Sequence, residues 1–353
     1  MNTISIRDKC LDKPIIQGGM GIGVSLGNLA GHVAENGGMG VISAANPGFR
    51  QPDFNKNRLE ANRRALIEEI RKAKEISKGR GMVGVNVMMA LSDGEELAKT
   101  AALAGADAVI AGAGLPLSLP ALTGGTDTAI APIVSSAKAA SLICRSWKRH
   151  YGALPDFLVV EGSLAGGHLG FSLDELMSDT ARTLDSIVSE VIEALKPFEA
   201  QNGRPIPVFA AGGIYDAGDI RRVRSLGAAG AQIATRFIAT EECDAAPEYK
   251  QAFLKAGPDD IMIVKSPVGM PGRALRSPLT ERLKPGVFTG VKNCVKCLRP
   301  CNPAKTPYCI TAALTAAVRG DWENGLFFCG SNAYRLDKIL TVRRLMKELT
   351  DGI

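Results

Sequence analysis

The chain has 353 residues, 46% of them hydrophobic and 22% charged, with a formal net charge of +6. That is enough apolar material for one large α/β domain plus an accessory piece, and it excludes a disordered chain. The positive residues are scattered over predicted helices (Arg63, Arg64, Arg71, Lys72 and Lys74; Arg221, Arg222 and Arg224), a pattern of solvated faces, so no nucleic-acid partner is expected.

The opening segment MNTISIRDKCLDKP lacks an apolar signal core, and the longest apolar stretch, 101–122, is broken by Asp107, several glycines and two prolines. The expectation is a cytoplasmic protein without a membrane span. Eight cysteines in a reducing compartment read as thiols or metal ligands rather than disulfides.

Short runs rich in Val, Ile and Ala predict buried strands at 14–17, 40–43, 82–87, 106–111, 129–134, 157–161, 206–211 and 230–234. Amphipathic segments between them predict helices at 26–36, 55–77, 94–104, 136–151, 184–201 and 217–226. Strands buried on both faces and alternating with helices call for a parallel sheet, and eight of them for a TIM (β/α)8 barrel. The competing architecture is a doubly wound sheet with a dinucleotide turn at GGMGIGVS, 18–25. That turn lacks the GxGxxG spacing and would leave the later glycine turns unexplained. The barrel core is expected over 1–240, and a C-terminal cysteine-containing helical extension over 241–353.

Barrel chemistry collects at the C-terminal strand ends, where this chain places mostly small residues. AAGGIYD (210–216) and GAQIATRF (230–237) follow the seventh and eighth predicted strands, the usual place of a barrel phosphate site, and EGSLAGGHLGF (161–171) follows the sixth. Small residues let a flat ring lie against exposed backbone. The combination suits a fused aromatic cofactor with a phosphate tail, such as FMN.

The motifs PIIQGGMGIGVS, VGVNVMM, AGAGLP, AGGHLG, AAGGI, GAQIATRF and GMPGRAL, spread from about Lys13 to Arg276, resemble in order and strand position the nitronate monooxygenase (2-nitropropane dioxygenase) family of FMN-dependent barrels. That family includes the flavin-type enoyl-acyl carrier protein reductases. The resemblance implies an FMN-dependent oxidoreductase acting on a small molecule. Gly19 and Met20 would meet the flavin ring and Asn86 would make a polar contact with it. Gly167, Gly212, Gly213, Ala234 and Thr235 would hold the ribityl phosphate. His168, in the glycine-flanked loop, would lie over the flavin and orient or exchange a proton with substrate. His32 and His150, within or near predicted helices, read as packed or solvated.

Two positions depart from or divide the family. Leu164 stands where relatives usually carry Glu, and Glu161, a candidate cofactor contact, resembles the enoyl reductase version. Oxidation of alkyl nitronates with O2 is the leading expectation, with an alkyl chain taken by Met20, Met88, Met89 and Leu115. The alternative is reduction of an enoyl thioester or other C=C bond with NAD(P)H as donor.

Beyond the barrel, Cys294, Cys297, Cys301 and Cys309 are spaced C-x2-C-x3-C-x7-C, with Pro300, Pro303 and Pro307 stiffening the loop. Such density predicts a metal centre. The first three cysteines resemble the start of the segment holding a 4Fe-4S cluster in relatives of old yellow enzyme. Structural zinc and plain thiols are the alternatives. The tail predicts a helix, a turn near Gly320 and a last amphipathic helix over 334–349, packing on the barrel or forming a homodimer contact, and GSNAYR (330–335) is placed to reach the cofactor edge.

Overall fold

The computed structural model describes residues 3–283 and 290–353. Eight parallel strands form a closed barrel in chain order: β1 (Ile15–Gln17), β2 (Met39–Ser43), β3 (Met82–Met88), β4 (Ala108–Gly112), β5 (Ala129–Val134), β6 (Leu158–Glu161), β7 (Val208–Ala211) and β8 (Gly230–Ile233). The ring closes where β8 pairs with β1, Gln232 facing Ile16. Closure excludes the doubly wound alternative, because an open sheet would leave two edges.

Alternation along each strand divides its side chains between two cores. Ile16, Val41, Met82, Ile110, Val159 and Phe209 point into the barrel. Their neighbours Ile15, Ile42, Val83, Val109, Val160 and Ala210 point outward to the helices. Phe157 and Phe209 meet edge to face inside the barrel, with centroids 5.7 Å apart. The hairpin Ile4–Ile6 and Lys9–Leu11 adds Ile6 and Leu11 to this inner core. It plugs the N-terminal mouth, and the barrel is left open at its other end.

The outer ring consists of α1 (Gly27–Glu35), α2 (Arg58–Ser77), α3 (Gly94–Leu103), α4 (Ala137–Tyr151), α5 (Leu184–Asn202) and α6 (Ala217–Ser225). Their starts follow local capping chemistry. The Ser136 hydroxyl accepts from the Ala139 amide at 3.2 Å, and Asp216 forms a capping box with Asp219. Glycines in the left-handed region, Gly152 and Gly203, end α4 and α5.

After β8 the chain makes only the four-residue turn Thr235–Ile238. The missing eighth helix is supplied by the C-terminus. Helix α7 (Val342–Leu349) packs against α1 and α6, with Val342, Leu345, Met346 and Leu349 fully buried in the same core as the barrel helices. Each such side chain contributes about 1.5–3 kcal/mol. The predicted 334–349 helix is thus shorter, because Leu336 to Leu340 run extended to the barrel, where Leu340 bridges Thr240. Among the described residues no helix is long and apolar enough to cross a membrane.

A three-stranded antiparallel sheet stands over the open end: Ile261–Lys265, Pro271–Leu275 and Gly167–His168. Arg273 on its middle strand is buried and donates to the carbonyls of Ser163 (2.7 Å) and Ala165 (2.5 Å). A cation buried in this way braces the loop after β6 by charge-assisted hydrogen bonds.

Candidate active site

The strand ends and this small sheet enclose a cavity of about 620 Å³. All ten residues proposed from sequence for catalysis or cofactor contact line it. Gly19 and Met20 follow β1, Asn86 sits on β3 and Glu161 ends β6. A side chain at Gly19 would bring its Cβ within 2.5 Å of the Asn86 Cβ, so only glycine leaves this surface flat. The Asn86 amide is itself anchored, donating to the Ile110 carbonyl at 3.4 Å.

Gly167, Gly212, Gly213, Ala234 and Thr235 line the cavity from the loops after β6, β7 and β8. Gly212 has φ +96°, and a Cβ there would lie 2.9 Å from the Gly162 carbonyl oxygen and 3.0 Å from the Ala165 nitrogen. The C-terminal segment closes this end: the Gly330 amide donates to the Thr235 hydroxyl (2.9 Å) and the Asn332 side chain to the Gly213 carbonyl (2.8 Å). Arg236 and Arg335 both lie over the Tyr215 ring, 4.4 and 3.9 Å from its centroid. The floor therefore fits a flat ring, and the glycine turns beside Thr235 and Arg236 fit an anionic tail.

Two titratable groups in the cavity are displaced by burial. The Glu161 carboxyl has no hydrogen-bond partner among the described residues, and desolvation pushes it up to about 8, so it holds its proton at neutral pH. Desolvation lowers His168 to about 4, so the imidazole is uncharged there. His168 is carried by the Gly167–His168 strand opposite Gly272, its Nε2 is 2.7 Å from the Ser266 hydroxyl, and its ring meets Phe328 edge to face at 5.0 Å. By contrast His32 pairs with Glu35 and His150 with Ser146, both on helices away from the cavity.

One expectation needs correction. Met20, Met88 and Leu115 line the cavity as expected, but Met89 faces a separate outer groove with Leu117 and Arg299, because successive residues leaving β3 point to opposite sides. For the cysteine-rich segment, among the described residues no three His, Cys, Asp or Glu side chains converge on a metal position. Cys297 is buried with its sulfur accepting from the Thr311 hydroxyl at 3.0 Å, Cys294 is exposed, and Cys301 and Cys309 lie between these extremes. Burial pushes the thiols of Cys297 and Cys301 up.

Ser266, Tyr215, Arg236 and Phe328 went unrecognised in the sequence. Tyr215 and Arg236 lie inside the two glycine-turn motifs that follow β7 and β8 but were not singled out there, whereas Ser266 and Phe328 come from the later segment and carry no local motif.

A family model for nitronate monooxygenase matches residues 5–352. The chain belongs to the nitronate monooxygenase family. Among curated relatives it is 27% identical over 276 residues to (3aS,4S,5R,7aS)-5-hydroxy-7a-methyl-1-oxo-octahydro-1H-indene-4-carboxyl-CoA dehydrogenase of Mycobacterium tuberculosis, covering 78% of this chain and 66% of that protein. It is 30% identical over 128 residues to a probable nitronate monooxygenase of Staphylococcus saprophyticus, covering 36% of this chain and 34% of that one. The chain thus spans less than two thirds of the length of these curated relatives. Among solved structures, FabK from Thermotoga maritima superposes with a TM-score of 0.72 at 26% identity, covering 97% of this chain and 92% of that one. Nitroalkane oxidase from Streptomyces ansochromogenes gives 0.73 at 22% identity over 97% and 95% of the two chains, a likeness of fold.

Proposed function

We propose that this nitronate monooxygenase family member binds FMN at the barrel mouth and oxidises small alkyl nitronates with O2. When bound, FMN supplies the redox chemistry, taking electrons from an organic substrate and passing them on to oxygen. The observation that carries the reading is the coincidence of a flat glycine floor, a cluster of glycine turns and a single uncharged histidine in one cavity.

The residues have distinct tasks in this reading. Gly19 and Met20 take the ring edge, and Asn86 makes its polar contact. Gly167, Gly212, Gly213, Ala234 and Thr235 hold the phosphate, with Arg236 nearby to offset its charge. Met20, Met88 and Leu115 accept the alkyl chain and exclude water from it. His168 orients the substrate head group. No strong base is required, because a nitronate arrives already deprotonated.

A second reading has its own support. Glu161 resembles the enoyl reductase version of the motif, and the whole-chain likeness to FabK and the alignment with a dehydrogenase named for a carboxyl-CoA thioester favour a thioester substrate with NAD(P)H as donor. Anaerobic mixing of flavin-loaded protein with propyl-2-nitronate, without nicotinamide, distinguishes the two. Bleaching of the flavin followed by oxygen uptake on aeration is expected. Persistence of the oxidised spectrum with nitronate, alongside rapid bleaching by NADH, would overturn the nitronate reading and leave the reductase.

A further inference from the structure

Arg273 is a buried cation without a carboxylate partner. Among the described residues no Asp or Glu lies within ion-pair distance of it, and its Nη1 donates to two backbone carbonyls, Ser163 at 2.7 Å and Ala165 at 2.5 Å. Buried charges are ordinarily paired, and two neutral carbonyls satisfy the hydrogen bonds of a guanidinium without cancelling its charge. A cation so placed favours an anion within reach of its field.

Arg273 does not itself line the cavity, so its grip acts through the loop it holds. In a planar trans peptide the N–H of one residue points opposite to the carbonyl of the residue before it. With the Ser163 and Ala165 carbonyls held against the guanidinium, the Leu164 and Gly166 amides point away from it, and both of these residues line the cavity. Neither amide has an acceptor among the described residues, whereas the Ala165 amide between them is used within the loop, donating to the Gly162 carbonyl at 3.2 Å. Buried-side amides left without acceptors are donors for a ligand.

Gly330 gives their place in the cavity. A Cβ there would lie 3.2 Å from the Thr235 hydroxyl oxygen and 3.8 Å from the Gly166 nitrogen, so that amide and that hydroxyl flank one spot beside the glycine turns. The Thr235 oxygen accepts from the Gly330 amide and has its own proton left to give. We propose that Arg273 is a positioning residue for the cofactor phosphate: it turns the Leu164 and Gly166 amides toward the phosphate beside Thr235 and supplies, through those two peptides, a positive charge that never touches the ligand. The inference rests on the proposed FMN site and deepens it, since the glycine turns alone carry no full charge.

Cofactor-free protein titrated with FMN and with riboflavin, which has the same ring and no phosphate, tests the role by affinity, without turnover. Wild type is expected to prefer FMN by about a hundredfold or more. Arg273→Met, which keeps the length and loses the donors, is expected to lose about tenfold or more in FMN affinity while riboflavin affinity stays within about twofold. A merely structural brace would weaken both flavins alike. In deuterated, nitrogen-15-labelled wild type, FMN is expected to move the Leu164 and Gly166 amide protons downfield and riboflavin to leave them in place, a readout that decides the matter should Arg273→Met not fold. Loss of both flavins alike in Arg273→Met, loss of neither, or unmoved amides in wild type would overturn the role of Arg273 and leave the FMN site standing. Equal affinity of wild type for the two flavins would overturn the proposed phosphate site itself, and this inference with it.

Discussion

Replacing Glu161 with Gln converts a burial argument into a measurable pH dependence. The carboxyl has an ordinary value of 4.5 and is pushed up to about 8 by desolvation in the folded chain. Below 4.5 both folded and unfolded states hold the proton and nothing is lost. Between the two values the folded state keeps the proton that the unfolded state has released, so stability falls as pH rises, and above about 8 the loss is complete. The full span corresponds to a ceiling of about 5 kcal/mol at roughly 1.4 kcal/mol per unit, reduced by the water that reaches the cavity.

Other groups narrow the useful window. His168, lowered to about 4, makes stability rise with pH only up to about 6.5. Asp244, raised to about 6, has finished its own decline by then. The buried thiols of Cys144, Cys243 and Cys329, raised to about 12, begin to matter only near pH 9. From about pH 6.5 to 8.5 Glu161 is left as the main variable, worth about 2 kcal/mol over that interval. Urea unfolding of cofactor-free protein at three pH values in this window should show wild type losing that amount while Glu161→Gln holds level. Parallel curves for the two proteins would refute the claim that the carboxyl is desolvated and protonated.

Four further outcomes follow from the geometry. Gly212→Ala must adopt φ +96° and crowd the Gly162 carbonyl, so it should lose about 2 kcal/mol or more of stability and much of its flavin on gel filtration. Gly105→Ala, at φ +80° with open space around it, should lose only about 1 kcal/mol and keep its flavin. Leu345→Ala, deep between α7 and the barrel helices, should cost about 2–5 kcal/mol in one cooperative transition, whereas an early separate transition would mean that α7 is a detachable appendage. Cys294→Ser, on an exposed thiol, should change stability by less than about 0.5 kcal/mol; a large loss together with release of iron or zinc would restore the metal centre.

The parts of this molecule that were legible in the sequence are those written in local pattern. A strand such as Met82–Met88 must be apolar on both faces because helices cover one side and the barrel interior the other, and that continuous run is visible without a partner. The glycine turns were equally visible, since Gly212 and Gly213 sit at positive φ and few other residues could replace them. The cysteine spacing was just as regular but less informative, because spacing limits which sulfurs can meet but not where each side chain turns. Cys297 turns into the core toward Thr311 and Cys294 turns to solvent. The amphipathic pattern of α7 was apparent, whereas its place in the ring was not, since the chain first crosses the barrel mouth and returns. Ser266 lies 98 residues from His168 and is brought to it by the pairing of Pro271–Leu275 with Gly167–His168. A hydroxyl in a turn carries no signal of its own. It gains a role only when the folded chain sets it 2.7 Å from the imidazole nitrogen.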